Sequence, residues 1–268
     1  MLDWLVVNER LISVQRLRNL VRDDADRALV EAALGWLGQR RRRPRLGAKP
    51  GLPEDIDQPE PFFRDSPSPF GELDEAFLAQ GFLKSPIESS GNSEAPDLEL
   101  PINFAFRLRA LLGIGARAEV VRALLTSERP WINVQAIAAS TAYAKRNAQE
   151  ALNSLQAAGV LSASELRNDL RFDIPRQRWM QLLDLDEIPR HVDWPQLFAA
   201  YRLFLRWLWD PRHEQLSEYM LASEARTLVE EVEPDLRFAG VPINAGRGAG
   251  GPTYLDDFAE QLREWVPI

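Results

Sequence analysis

The sequence predicts a mainly α-helical protein with one short antiparallel strand pair near its middle, helices before it and an all-helical segment after it. Three observations predict this. Apolar residues recur at helical spacing through much of the 268 residues. Between 168 and 175 the pattern changes to alternation: Leu170, Phe172 and Ile174 against Arg171 and Asp173. Ten prolines gather between 44 and 101, so irregular chain is expected there.

Taken in order, residues 1–43 read as helices. Leu11, Val14, Leu17, Leu20 and Val21 mark one face; after Asp23-Asp24, Ala28, Leu29, Ala32, Ala33, Trp36 and Leu37 mark another. The basic run 40–43, with Arg45, suits a helix C-terminus or a phosphate contact. Residues 44–103 are expected to form an ordered, extended arm, because Phe62, Phe63, Phe70, Phe77 and Phe82 are costly to leave in water. A short helix is expected at 74–80, and less order near 89–96. Residues 176–268 read as all-helical, for dimerisation or effector binding. Leu197, Tyr201, Phe204, Leu205 and Leu208 mark one helix, Leu216, Met220, Leu221, Leu228 and Val229 another, and Phe258, Leu262 and Trp265 a last one. Residues 246–251 read as a loop.

Residues 104–175 carry the most specific order. Ala116, Val120, Val121, Leu124 and Leu125 share a helix face. Trp131-Ile132 is briefly extended. Asn133 stands where an N-cap belongs, ahead of Val134, Ile137 and Ala138. A tight link at Ser140, Thr141 and Ala142 leads to a third helix over 144–158, whose apolar face is Ala148, Ala151, Leu152 and Leu155. Gly159 suits a left-handed C-cap. Val160-Leu161 opens a strand, Asn168-Asp169 is a turn, and the alternating stretch returns. Helix, small strand, helix, turn, helix and two-stranded wing make a winged helix-turn-helix, flanked by N-terminal helices and a C-terminal all-helical domain.

The run NVQAIAASTAYAKRNAQEALNSLQAAGVL, 133–161, resembles the DNA-binding core of ArsR/MarR-like bacterial regulators. The shared pattern is Ile137-Ala138 at the end of the second helix, Leu152-x-x-Leu155 at the end of the third, and Ala158-Gly159-Val160. The resemblance covers 104–175 and implies a transcription regulator that binds double-stranded DNA as a homodimer, with a small-molecule effector an open possibility. Ala144 stands where that family often has a capping Ser or Thr, which weakens the first turn and removes a phosphate ligand. With no cysteine, metal sensing of the ArsR type is not implied.

Helical spacing turns Arg146, Glu150 and Asn153 outward, with Lys145, Asn147 and Gln149 on the flanks. Arg suits guanine O6/N7, and Asn and Gln suit adenine N6/N7. Arg167 and Arg171 are expected in the wing, near the DNA backbone or minor groove. The competing reading is a solvated helix face on a protein-interaction scaffold or an antitoxin-like partner. Charge favours the middle segment for DNA. Residues 104–175 hold 9 basic and 6 acidic side chains, net +3, against −5 for 1–103 and −6 for 176–268. The overall net charge of −8 argues against a non-specific nucleic-acid coat.

Catalysis is not expected. His191 and His213 are the only histidines, and neither sits in a metal-binding motif. The 246–251 run lacks the Gly-Lys-Ser/Thr ending of a P-loop, and no Gly-x-Ser-x-Gly occurs. Trp194, Trp207 and Trp209 suit core, a dimer interface or an aromatic effector pocket. No cofactor is expected. The absence of cysteine and of any signal or membrane-spanning pattern leads to the expectation of a cytoplasmic protein with no membrane partner.

Overall fold

Short polar side chains set many of the helix starts, and the computed structural model shows them in place. It describes residues 2–40, 59–63, 69, 71–127, 131–167, 169–190, 193–241 and 250–265. The architecture is mainly helical, and the chain divides into two units, Met1–Arg190 and His191–Ile268.

The first unit opens with α1 (Leu2–Val7), α2 (Val14–Leu20) and α3 (Asp24–Gln39). Ser13 caps α2 by accepting from the Arg16 amide, and Asp23 caps α3 by accepting from Asp26. Trp36, Leu37 and Ala32 are buried on α3. A two-residue strand β1 (Glu60–Pro61), α4 (Glu75–Leu78) and β2 (Phe82–Leu83) lie against this helix. β1 and β2 pair in parallel, a contact that sequence reading did not anticipate. Phe62 meets Phe77 and Phe82 edge-on at 5.2 and 5.7 Å, and all three join the cluster around Trp36. Phe63 instead stays largely exposed. The stretch 89–96, expected to be less ordered, is tied to α1. The Ser90 amide and hydroxyl donate to Asp3 at 2.6 and 2.7 Å, and Asn8 donates to the Glu94 carbonyl at 3.1 Å. Polar anchoring there depends on long-range partners that local composition does not reveal. Arg40 stacks on Trp36 at 3.8 Å and donates to the Ile87 carbonyl; the rest of the basic run, and Phe70, lie outside the described residues.

Next come α5 (Phe104–Leu112), α6 (Ala116–Thr126), β3 (Ile132–Asn133), α7 (Val134–Thr141), α8 (Lys145–Ala157), β4 (Ser162–Leu166) and β5 (Asp169–Asp173). The strands form one antiparallel sheet of order β3-β5-β4. Ile132 pairs with Phe172, which is wholly buried; Phe172 also pairs with Ala163. Helix α6 is the central rod. Every residue from Ala118 through Leu125 is buried, including Glu119 and Arg122. Around it pack Ile137 of α7, Ala148 and Leu152 of α8, and Phe172.

Helix α9 (Arg176–Leu183) continues this core. Its Trp179 and Leu183 join the same cluster, so it does not belong with the C-terminal helices where the expected boundary at 176 put it. Arg107 of α5 donates to the Leu183 carbonyl, placing a cation at the α9 C-terminus.

The second unit comprises α10 (Trp194–Leu208), α11 (Glu218–Phe238) and α12 (Pro252–Trp265). Leu197, Ala200 and Phe204 of α10 are buried with Ala225, Val232 and Leu236 of α11 and with Tyr254 and Phe258 of α12. Gly251 has φ +59°, and a Cβ there would meet the Tyr219 ring at 2.7 Å, so glycine is favoured just before α12. Gly250 and Gly251 are the described part of the expected 246–251 loop. No helix among the described residues is long and apolar enough to cross a membrane.

Truncating Leu152, fully buried on α8, leaves a cavity among α6, α7 and the sheet. Leu152→Ala is expected to lower the stability of the first unit by about 2–5 kcal/mol. Native-state hydrogen exchange of the α6 amides in the full chain reads this directly.

Candidate nucleic-acid interface

Helix α8 has one apolar face and one polar face, and burial sorts them cleanly. Ala148, Ala151, Leu152 and Leu155 are buried. Lys145, Arg146, Glu150 and Asn153 are exposed, with Asn147 and Gln149 half-exposed beside them. The five sequence-predicted residues of this helix therefore share a continuous solvent-facing surface. Two bonds cross it at i,i+4 spacing: Arg146 Nε donates to Glu150 at 2.9 Å, and Gln149 donates to Asn153 at 2.8 Å. The helix closes as sequence predicted. Gly159 takes φ +71°, its amide donates to the Gln156 carbonyl, and the Val160 amide donates to Leu155.

The two arginines expected in the hairpin differ. Arg167 sits exposed in the β4–β5 turn with φ +52°. Arg171 is in a strand of the hairpin, not in its turn. It lies in β5 opposite Asn133, half-buried, with its guanidinium 3.4 Å from the centre of the Trp131 ring. A guanidinium over the face of a partly exposed tryptophan is a favourable cation–π contact, and it holds Arg171 against the sheet.

The α7–α8 turn determines how α8 is presented. Asn133 caps α7 by accepting from the Ala136 amide at 3.0 Å. At the other end the chain reverses through Ala142, left-handed at φ +54° without the help of glycine. A helix C-terminus leaves carbonyls without intrahelical donors. Three successive ones are satisfied here by side chains from elsewhere: Arg122 donates to Ser140, Arg16 to Thr141 and Asn19 to Ala142, at 3.0, 2.9 and 2.9 Å. The Tyr143 hydroxyl lies 2.8 Å from the Ser13 hydroxyl. Helix α2 thus grips the turn.

Both of these arginines, and Arg109 of α5, converge on Glu119, which is 2% exposed. Arg122 Nε donates to it at 3.0 Å and Arg109 Nε at 2.7 Å, while an Arg16 nitrogen lies 3.8 Å away. Burial by itself would raise the Glu119 pKa. Arg122, Arg109 and Arg16 outweigh burial and bring it from the ordinary 4.5 to about 2. Arg109 also donates to the Leu11 carbonyl, so α5, α6 and the N-terminal helices meet at one carboxylate. Sequence reasoning missed this cluster. Its available signal was a Glu and an Arg at i,i+3 inside the apolar stretch of α6.

Beside it, Trp4, Leu5, Ile12, Leu17, Leu20 and Phe106 line a pocket of about 190 Å³, with Arg16 and Arg109 in its wall. In the second unit, the His213 ring meets Trp207 at a tilt, with centroids 4.5 Å apart, and lies 3.3 Å from Glu224, a structural setting. His191 lies outside the described residues. Among the described residues no group of three His, Asp or Glu is disposed to hold a metal ion. Comparison of the chain with protein-family models, with curated proteins and with solved structures returns no match.

Because the folded pKa of Glu119 is depressed, its contribution to stability is present above about pH 4.5 and is lost as pH falls toward 2. The shift corresponds to a contribution on the order of 3 kcal/mol. Glu119→Gln leaves three guanidiniums without their carboxylate, at a cost of about 3–5 kcal/mol at neutral pH. The stability gap between wild type and Glu119→Gln is expected to shrink as pH falls below 4.5. Urea unfolding at a series of pH values measures it.

Proposed function

We propose that this chain is a sequence-specific DNA-binding regulator, with residues 104–175 acting as a winged helix-turn-helix whose third helix, α8, enters the major groove. The observation that carries the reading is the arrangement of α6, β3, α7, α8 and the β4–β5 hairpin, with sheet order β3-β5-β4 and the polar face of α8 turned to solvent. That face offers base-reading chemistry: Arg146 for guanine, and Asn147, Gln149 and Asn153 for adenine. Lys145, at the helix start, and Arg167, at the hairpin turn, suit phosphates.

The bonds on the α8 surface do not stand in the way. Exposed i,i+4 pairs such as Arg146–Glu150 are worth about 0.3–0.5 kcal/mol, whereas a bidentate arginine–guanine contact is worth about 1–3 kcal/mol. Exchange of one for the other is favourable. Arg171 supports the hairpin through Trp131 and contributes charge from the sheet rather than from a wing tip. A two-fold operator needs two reading heads, so the working species is a homodimer. A small-molecule effector would act from the pocket between α1, α2 and α5, because Arg16 in its wall also holds the Thr141 carbonyl. No catalytic role is assigned, and the proposed setting is the cytoplasm.

A second reading is a protein-interaction scaffold. Glu150 on the polar face and the chain's net charge of −8 favour it. Binding to selected and scrambled duplex DNA at several salt concentrations separates the two. Arg146→Ala is expected to cost about 1–3 kcal/mol and to relax preference at one base pair. Lys145→Ala is expected to weaken all sequences alike and to lower the salt slope by about one ion. If both variants bind the selected site as wild type does, or if wild type binds no duplex, the scaffold reading replaces this one.

A further inference from the structure

Helix α10 has two apolar faces, and its own unit uses only one. Leu197, Ala200 and Phe204 point into the core, and Trp207 meets Phe258 edge-on at 5.5 Å. Trp194, Phe198, Leu205, Leu208 and Trp209 lie along the helix and its final cap, and they are 43, 60, 44, 51 and 71% exposed. At 3.6 residues per turn these five form one continuous stripe, displaced by roughly a quarter-turn from the buried face. Trp194 and Phe198 are already stacked on each other, with centroids 5.7 Å apart. Arg202 and Arg206 fall to one side of the stripe, roughly 60° and 100° round from its centre, so its midline carries no charge.

Four of the five stripe residues are placed symmetrically about its middle, and Leu208 lies outside these pairs. Trp194 and Trp209 are equidistant from the point between Tyr201 and Arg202, and so are Phe198 and Leu205. A two-fold interface requires that when residue i meets residue j, j also meets i. An antiparallel pair of α10 helices meets that requirement: Trp194 faces the partner's Trp209, and Phe198 faces the partner's Leu205, at both ends of the contact. The exposed area fits as well. With side chains of about 150–250 Å², the five leave on the order of 500 Å² exposed per copy, so their complete coverage in a pair would bury about 1,000 Å², the lower bound of a specific interface.

We propose that α10 is the homodimer interface of this protein, two copies packing antiparallel through the stripe from Trp194 to Trp209. This deepens the proposed function by naming the surface that joins the reading heads, and it rests on that reading only for its purpose. The experiment therefore omits DNA, so that failure of the pairing and failure of groove reading are separate results.

The test uses the full chain. Light scattering at micromolar concentration is expected to give twice 30.4 kDa for wild type, and Phe198→Glu and Leu205→Glu are each expected to give the monomer. The chain contains no cysteine, so single cysteines report position without background. A mixture of Phe198→Cys and Leu205→Cys chains is expected to form a disulfide-linked dimer under mild oxidation, at least tenfold more than either variant alone. The cysteine variants remove no buried side chain and keep the test open if a glutamate variant fails to fold. A monomeric wild type overturns the proposal. So do folded glutamate variants that remain dimeric, because the copies then join elsewhere. Self-linking of Phe198→Cys as efficient as the mixture overturns the antiparallel arrangement.

Discussion

One carboxylate holds the first unit together. Glu119, on the buried rod α6, is surrounded by Arg16, Arg109 and Arg122, and each arginine reaches a different part of the chain. Burying a carboxylate alone is prohibitive, and burying three guanidiniums without it equally so. The cluster is stable because each charge has a partner, and because the positive charge beyond that of Glu119 is spread over backbone carbonyls at Leu11, Ser140 and Thr141. A hydrophobic cluster of the same volume could match its stability. The ionic cluster adds directed bonds, each of which joins a particular pair among α2, α5, α6 and the α7–α8 turn.

The consequence reaches the surface. Helix α8 has no side-chain cap, since Ala144 precedes it, and its turn passes through a left-handed alanine. Local sequence therefore gives this turn little support. Support arrives from helices more than a hundred residues earlier, through Ser13, Arg16 and Asn19. The N-terminal helices are part of the scaffold that sets the exposed face of α8, and α9 completes the same core from the other end.

Where contacts are local, the sequence was legible. The 3.6-residue pattern places α6, α7 and α8, Asn133 caps α7, Gly159 ends α8, and the alternating Leu170 to Asp173 lie on β5, with Ile174 just past its end. Burial of Ala148, Ala151, Leu152 and Leu155 followed from spacing alone, and so did exposure of Arg146, Glu150 and Asn153. Where partners are distant, reading failed. Only the Glu119–Arg122 spacing inside the apolar stretch of α6 hints at the buried cluster, and nothing local brings Arg16 and Arg109 to it, assigns α9 to the preceding core, pairs β1 with β2, or lays Arg171 on Trp131. The tryptophans make the same point in the second unit. Trp207 and Trp209 are two residues apart on one helix, yet one packs into the core and the other is mostly in solvent, because α10 carries two adjacent apolar faces of different use.

Through Arg16 and the Glu119 cluster, α2 fixes the turn that presents α8. Hydrogen exchange of the full chain, wild type against Arg16→Ala, tests it most directly. Amides from 141 to 148 are expected to exchange faster in the variant while those of Val121 to Leu125 on α6 remain protected. Wild-type exchange rates across 141–148 in Arg16→Ala would contradict it.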